Sequence, residues 1–210
     1  HTTQLRSLND TTLVFISSLG PPRTDGRYNS NVMFRKTGVN TKQWRTRYFE
    51  HVRGPWQRDV NSSCALTVDL NADGWLDVVV ANWFDVNEMY LNNGVGVFVK
   101  DESNAGWSTT FGRSRSAGVV DLDGDGVLDV YIANHNTRDL VFMADGSGGF
   151  VEEGLSRGFG DSSGSSLGVM SLDVGHDGAT DVIVNVFGGQ ELSTLCPSHA
   201  PTVPNPWSST

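Results

Sequence analysis

Short apolar runs alternate along this chain with polar, glycine-rich stretches, and three of the runs are near copies. They are Val78-Val-Val-Ala81, Val130-Tyr-Ile-Ala133 and Val182-Ile-Val-Asn185. Each is β-branched, bounded by turn residues and only a few residues long, which predicts strands. Each is also preceded by an acidic stretch. The first reads Asp69-Leu-Asn71-Ala-Asp73-Gly74-Trp-Leu-Asp77, the second Asp121-Leu-Asp123-Gly-Asp125-Gly126-Val-Leu-Asp129, and the third Asp173-Val-Gly175-His-Asp177-Gly178-Ala-Thr-Asp181. Their first residues, Asp69, Asp121 and Asp173, stand 52 residues apart both times.

The same interval carries other features across. Asn93-Gly94-Val-Gly96-Val-Phe98 falls on Asp145-Gly146-Ser-Gly148-Gly-Phe150, Met89-Tyr90-Leu91 on Val141-Phe142-Met143, and Gly106-Trp107 on Gly158-Phe159. A period near 50 with several short strands per unit is the pattern of propeller blades. In the first full unit the expected strands are Ala65–Asp69, Asp77–Ala81, Glu88–Leu91 and, after a Gly-rich hairpin turn, Gly96–Lys100. The second unit repeats them from Ala117 to about Glu153. The third is expected to stop after its second strand, near Phe187. Ahead of the first full unit, Thr12–Ser17, Asn31–Arg35 and Arg47–His51 read as strands 2, 3 and 4 of a blade without a first strand or acidic loop. The expectation is an all-β, β-propeller-like array of four-stranded antiparallel blades, two full and two partial. Its divisions are 1–63 (arm and partial blade), 64–115, 116–167, 168–190 (partial blade) and 191–210 (a Ser/Thr/Pro-rich arm).

Alternating carboxylates at loop positions 1, 3 and 5, a glycine at 6 for the sharp turn and a carboxylate at 9 suit Ca²⁺, which takes six to eight oxygens. No His or Cys occupies a ligand position, which argues against zinc or copper. An EF-hand would need Glu at position 12 and flanking helices. Val80, Ile132 and Val184 stand there, inside the strands. One Asp-Gly cluster alone could be a polar turn; three in register point to metal. The third loop has Gly175 at position 3 and is expected to bind more weakly, so two or three ions are expected.

The strand, the Asp-x-Asp-x-Asp-Gly-x-x-Asp loop and Val-Val-Val-Ala together resemble the FG-GAP/VCBS repeats of integrin α-subunit propellers and many secreted proteins. Phe111-Gly112 ahead of Ala117-Gly118-Val-Val-Asp121 echoes the Phe-Gly that names the repeat, and Phe159-Gly160 does so more loosely. The resemblance covers roughly 64–187. It implies a propeller, usually seven-bladed, with calcium between strands 1 and 2 of a blade. Carried over by position, the ligands are Asp69, Asn71, Asp73 and Asp77; Asp121, Asp123, Asp125 and Asp129; and Asp173, Asp177 and Asp181. Seven such units would need about 364 residues, against 210 here. Completion of the blades by another molecule is one expectation, and strand addition at open blade edges is the route.

The formal net charge is −9 and the pI about 4.8. Ten Asp among the proposed ligands account for it, so three bound Ca²⁺ ions would bring the charge to −3. No basic patch suggests nucleic acid. The cations gathered between Arg35 and Arg58 read as a solvated surface, or as a site for an acidic partner. No apolar run approaches the roughly 18 residues of a membrane span. An extracellular location is expected from calcium loops of this kind and from two glycosylation sequons, at Asn9 and Asn61, both outside the expected strands. The chain begins at His1 with no signal-like segment and reads as processed or partial. In an oxidising compartment Cys64 and Cys196 could form a disulfide tying the C-terminal arm to the first full blade.

Gly164-Ser-Ser166-Leu-Gly168 matches a nucleophile-elbow pattern, but no helix follows it. The five histidines show no metal spacing, and nothing requires catalysis. Trp107 aligns with Phe159 and reads as blade packing. Trp83 has His135 at its equivalent position, so it is the best single candidate for contact with a sugar or a protein. Three readings compete: a calcium-stabilised protein-interaction module, self-assembling into a filament; a carbohydrate-binding or adhesion propeller; and part of a larger secreted enzyme.

Overall fold

The repeat seen in sequence is kept, strand for strand and register for register, in the computed structural model, which describes residues 2–6, 12–16, 24, 31–36, 49–52, 54–55, 60–95, 97–102, 107, 111–159, 165–187 and 194–195. A leading sheet contains β1 (Thr2–Arg6), β2 (Thr12–Ile16), β3 (Val32–Lys36) and β4 (Phe49–Val52) in that order. Blade one contains β5 (Ser62–Val68), β6 (Asp77–Val86), β7 (Glu88–Asn92) and β8 (Phe98–Lys100). Blade two contains β9 (Phe111–Val120), β10 (Asp129–Asn134), β11 (Leu140–Ala144) and β12 (Phe150–Glu152). Blade three contains β13 (Ser165–Leu172), β14 (Asp181–Phe187) and β15 (Thr194–Leu195). All pairings among the described residues are antiparallel. The architecture is that of a partial β-propeller.

Register repeats with the sequence. Val68 pairs with Asp77, Val120 with Asp129 and Leu172 with Asp181, so each acidic loop spans the same end of its hairpin. Near the other end each first strand carries a bulge, at Ser63, Arg115 and Leu167, again 52 residues apart. Strand neighbours point to opposite faces, and here both faces are covered. Val78 and Val80 pack with Met33 of the leading sheet, whereas Val79 packs with Val130, Ile132 and Phe142 of blade two. Tyr131 and Ala133 in turn face Val182 and Val184 of blade three. Burial on both sides is why these strands read as unbroken apolar runs rather than alternating ones. Trp107 is buried, stacked on Phe142 with ring centroids 4.0 Å apart, and so serves blade packing as expected. At Gly118 an added Cβ would lie 3.0 Å from Val169 Cγ1, so blades two and three meet there only because a side chain is missing.

Three details differ from the sequence reading. The leading sheet has a first strand, β1, so it is four-stranded rather than three-stranded. Thr-Thr-Gln-Leu-Arg carries one apolar residue and hence no periodic signal; its backbone ladder with β2 defines it. Blade three, expected to stop after its second strand, gains a third, β15, two residues long and inside the 191–210 arm. Finally, β6 and β9 run past their blades and pair with each other, Trp83 with Arg113 and Val86 with Phe111, which joins blades one and two into one hydrogen-bonded sheet.

Candidate metal loops

Each loop is built on its first aspartate. Asp69 accepts from the amides of Asp73 at 3.1 Å and Gly74 at 2.8 Å. Asp121 accepts from Gly124, Asp125 and Gly126, and Asp173 from Asp177 and Gly178. These bonds need left-handed backbone at two places. Position 4 has φ of 56° at Ala72, 76° at Gly124 and 55° at His176; position 6 is glycine each time, with φ between 87° and 89°. Glycine tolerates this, and Ala72 and His176 adopt it under strain. The position-9 aspartate closes the loop from below. Asp77 accepts from Leu70 N at 2.9 Å and Asn92 N at 2.8 Å, Asp129 from Leu122 N at 2.8 Å and Ala144 N at 2.9 Å, and Asp181 from Val174 N at 2.8 Å.

The loops differ in how far their oxygens converge. In loop two, carboxylate oxygens of Asp121, Asp123 and Asp129 lie within 4.8 Å of one another, the one such group of three among the described residues. Crowding anionic oxygens with no His or Cys suits a hard cation, so these three residues fit Ca²⁺. Asp125 spends one oxygen on Val127 N. In loop one, Asn71 donates its amide to Asp73 at 3.0 Å, and Gly148 of blade two comes so close that a Cβ there would lie 3.0 Å from Asn71 Cβ. Loop three has Asp173, Asp177 and Asp181 but only Gly175 at position 3. Electrostatics point the same way. Burial pushes the Asp77 carboxyl up to about 6; the Asn92 and Leu70 amides oppose the shift, and the Asp73 and Asp69 charges add to it. Asp129 is raised by burial as well, with Asp123 and Asp125 adding to the effect. A cation would relieve both. Arg157 reaches Asp123 at 3.5 Å and supplies part of that compensation.

A second repeated polar set lies at the opposite end of the blades. Ser62 donates to Asn82 at 2.6 Å and Ser114 to Asn134 at 2.7 Å. Asn82 N donates to Asn87, and Asn134 N donates to Asp139. Ser166, the next serine in the series, donates across to Asp139 of blade two at 2.7 Å. All seven of these residues, Ser62, Ser114, Ser166, Asn82, Asn87, Asn134 and Asp139, are buried. The 52-residue ruler applied to polar residues would have found them; single serines and asparagines carry no signal of their own. Ser166 is thereby accounted for as a blade-to-blade tie.

Trp83 is half-buried rather than exposed, and its neighbour Phe84 is the exposed ring. The Asn61 sequon does not lie clear of the strands: Asn61 is half-buried, and Ser62 and Ser63 are buried within β5. Cys64 is a half-buried free thiol whose pKa burial raises. Its expected partner Cys196 and the sequon residue Asn9 lie outside the described residues. No described helix is long and apolar enough to cross a membrane.

A family model described as an FG-GAP-like repeat matches residues 69–132 and again residues 121–184. The two matches are offset by the same 52 residues and together span more than half of the chain. No curated protein matches it.

Proposed function

Because the chain belongs to the FG-GAP-like repeat family, we propose that it is a non-catalytic, calcium-stabilised extracellular glycoprotein module that works by protein–protein contact through an open blade face. One observation carries this reading. Val68 and Val120 are 5% and 3% exposed, but their equivalent on blade three, Leu172, is 38% exposed. Leu70 and Leu122 are 2% and 7% exposed, and their equivalent Val174 is 51% exposed. Met170, two residues before Leu172 on β13, is exposed as well. Each earlier blade hands one apolar face to its successor, so the surface that fits blade three is another blade of the same make. A second copy of this chain can supply it, and repeated head to tail that contact builds a filament.

Calcium serves this module by stiffening the loops: Asp121, Asp123 and Asp129 hold it first, the loop-one residues next and the loop-three residues most weakly. The loops' oxygen chemistry supports the extracellular assignment, where Cys64 can pair with Cys196. Sedimentation of the purified chain in calcium and in EDTA tests the reading. Concentration-dependent species larger than the monomer are expected in calcium, reverting in EDTA. A monomer of unchanged size and melting temperature in both would overturn it.

A further inference from the structure

Between 60 and 187 the described chain has five Lys and Arg residues. Three are ion-paired: Lys100 with Glu88, Arg138 with Glu152, and Arg157 with Glu153 and Asp123. The other two, Arg113 and Arg115, form no ion pair among the described residues and lie on aromatic rings instead. Arg115 sits 4.0 Å from the Trp83 ring centroid and Arg113 5.0 Å from that of Phe84. The two rings touch edge to face at 5.0 Å, and the His135 ring lies 5.4 Å from Trp83. Adjacent strand residues should point to opposite faces. Here Phe84 is bulged out of the β6–β9 ladder with φ of 61°, which brings both rings together and leaves Phe84 51% exposed. Left-handed backbone at a bulky residue is strained and is kept where the surroundings impose it. Two polar atoms in the cluster, Arg115 Nε and His135 Nδ1, are buried without a hydrogen-bond partner.

We propose that this cluster, at the junction of blades one and two and at the opposite end of β6 from the calcium loop, is a docking site for an extended peptide with acidic residues at alternate positions. A guanidinium over an aromatic ring can still offer N–H groups to a carboxylate. Arg113 and Arg115 sit over two rings that touch each other, so carboxylates at alternate positions of an extended peptide, about 6.6 Å apart, can meet one guanidinium each. The exposed Phe84 ring gives the peptide an apolar contact. A sugar platform needs an open aromatic face, and Arg115 covers Trp83. The site is independent of the open face of blade three and of metal.

Fluorescence anisotropy with labelled Gly-Glu-Leu-Glu-Gly tests this, with Gly-Gln-Leu-Gln-Gly as neutral control and a sulfated oligosaccharide as the other class of anion. The acidic peptide should bind, in calcium and in EDTA alike, and an R113Q/R115Q variant should bind at least tenfold more weakly. In the unaltered protein the His135 ring resonances should shift on adding the acidic peptide, a readout that needs no variant. Equal binding of the neutral peptide, binding only in calcium, preference for the oligosaccharide, undiminished binding by the variant, or unmoved His135 signals would each overturn the proposal.

Discussion

Blades two and three share a loop, a register and a bulge, yet they differ at nearly every place where a neighbour matters. Asp121 and Asp173 organise their loops with the same backbone amides. Leu122 and Val174 hold the same position after those aspartates, but blade three buries the first, and the second faces outward. Loop two gathers three carboxylates, and loop three lacks the middle one. The turn around the first aspartate is therefore a local device, bonded within the nine residues. Burial, by contrast, is conferred by the next blade.

That contrast can be broken most severely at the packed face. Leu122→Lys places a charge among Val120, Tyr131 and Val182 and should cost about 3–5 kcal/mol in urea unfolding. Leu172→Lys, on the open face, should change stability by no more than about 0.5 kcal/mol and instead abolish any association seen by sedimentation. Equal losses of stability would mean that blade three's face is covered in the folded monomer.

A smaller effect is expected at the tie between the blades. Asp139 accepts from Asn134 N, the Tyr131 hydroxyl and Ser166, and burial raises its pKa above 3.8. The folded chain thus holds this proton more tightly than the unfolded one. Its contribution is full below about pH 3.8 and is lost as pH rises through the folded value. Blade one has Asn87 at the same position. Asp139→Asn should therefore flatten this part of the melting-temperature profile against pH, whereas Asp139→Ala should cost about 2–3 kcal/mol by leaving buried donors unpaired. A profile unchanged in the Asn variant would assign the titration elsewhere.

The smallest change sharpens the comparison of the loops. Gly175→Asp restores the middle carboxylate of loop three and should raise its calcium affinity roughly tenfold, because ligand charge sets affinity in such loops. Calorimetric titration measures it. No gain would mean that His176 and the exposed surroundings, rather than the missing oxygen, limit the site.

Much of the loop was legible in the order of residues, since Asp at 1, Gly at 6 and Asp at 9 act within nine positions. The ties from Ser62, Ser114 and Ser166 were not, because each is one polar residue among many until a strand brings Asn82, Asn134 or Asp139 opposite it. Trp83, the contact candidate of the sequence, is half-buried; the bulge at Phe84, which no residue pattern announces, decides which ring meets solvent. The strand Thr2–Arg6 escaped notice because pairing with β2, not apolar periodicity, makes it a strand.

By itself the sequence determined the repeat length, the loop chemistry and the all-β class, because turn geometry and oxygen donors depend on neighbours a few positions away. Tertiary structure alone decided which blade face stays open and where two arginines find aromatic rings instead of acids. Those outcomes depend on side chains dozens of residues apart meeting at short range, and that distance is set only when one blade packs on the next.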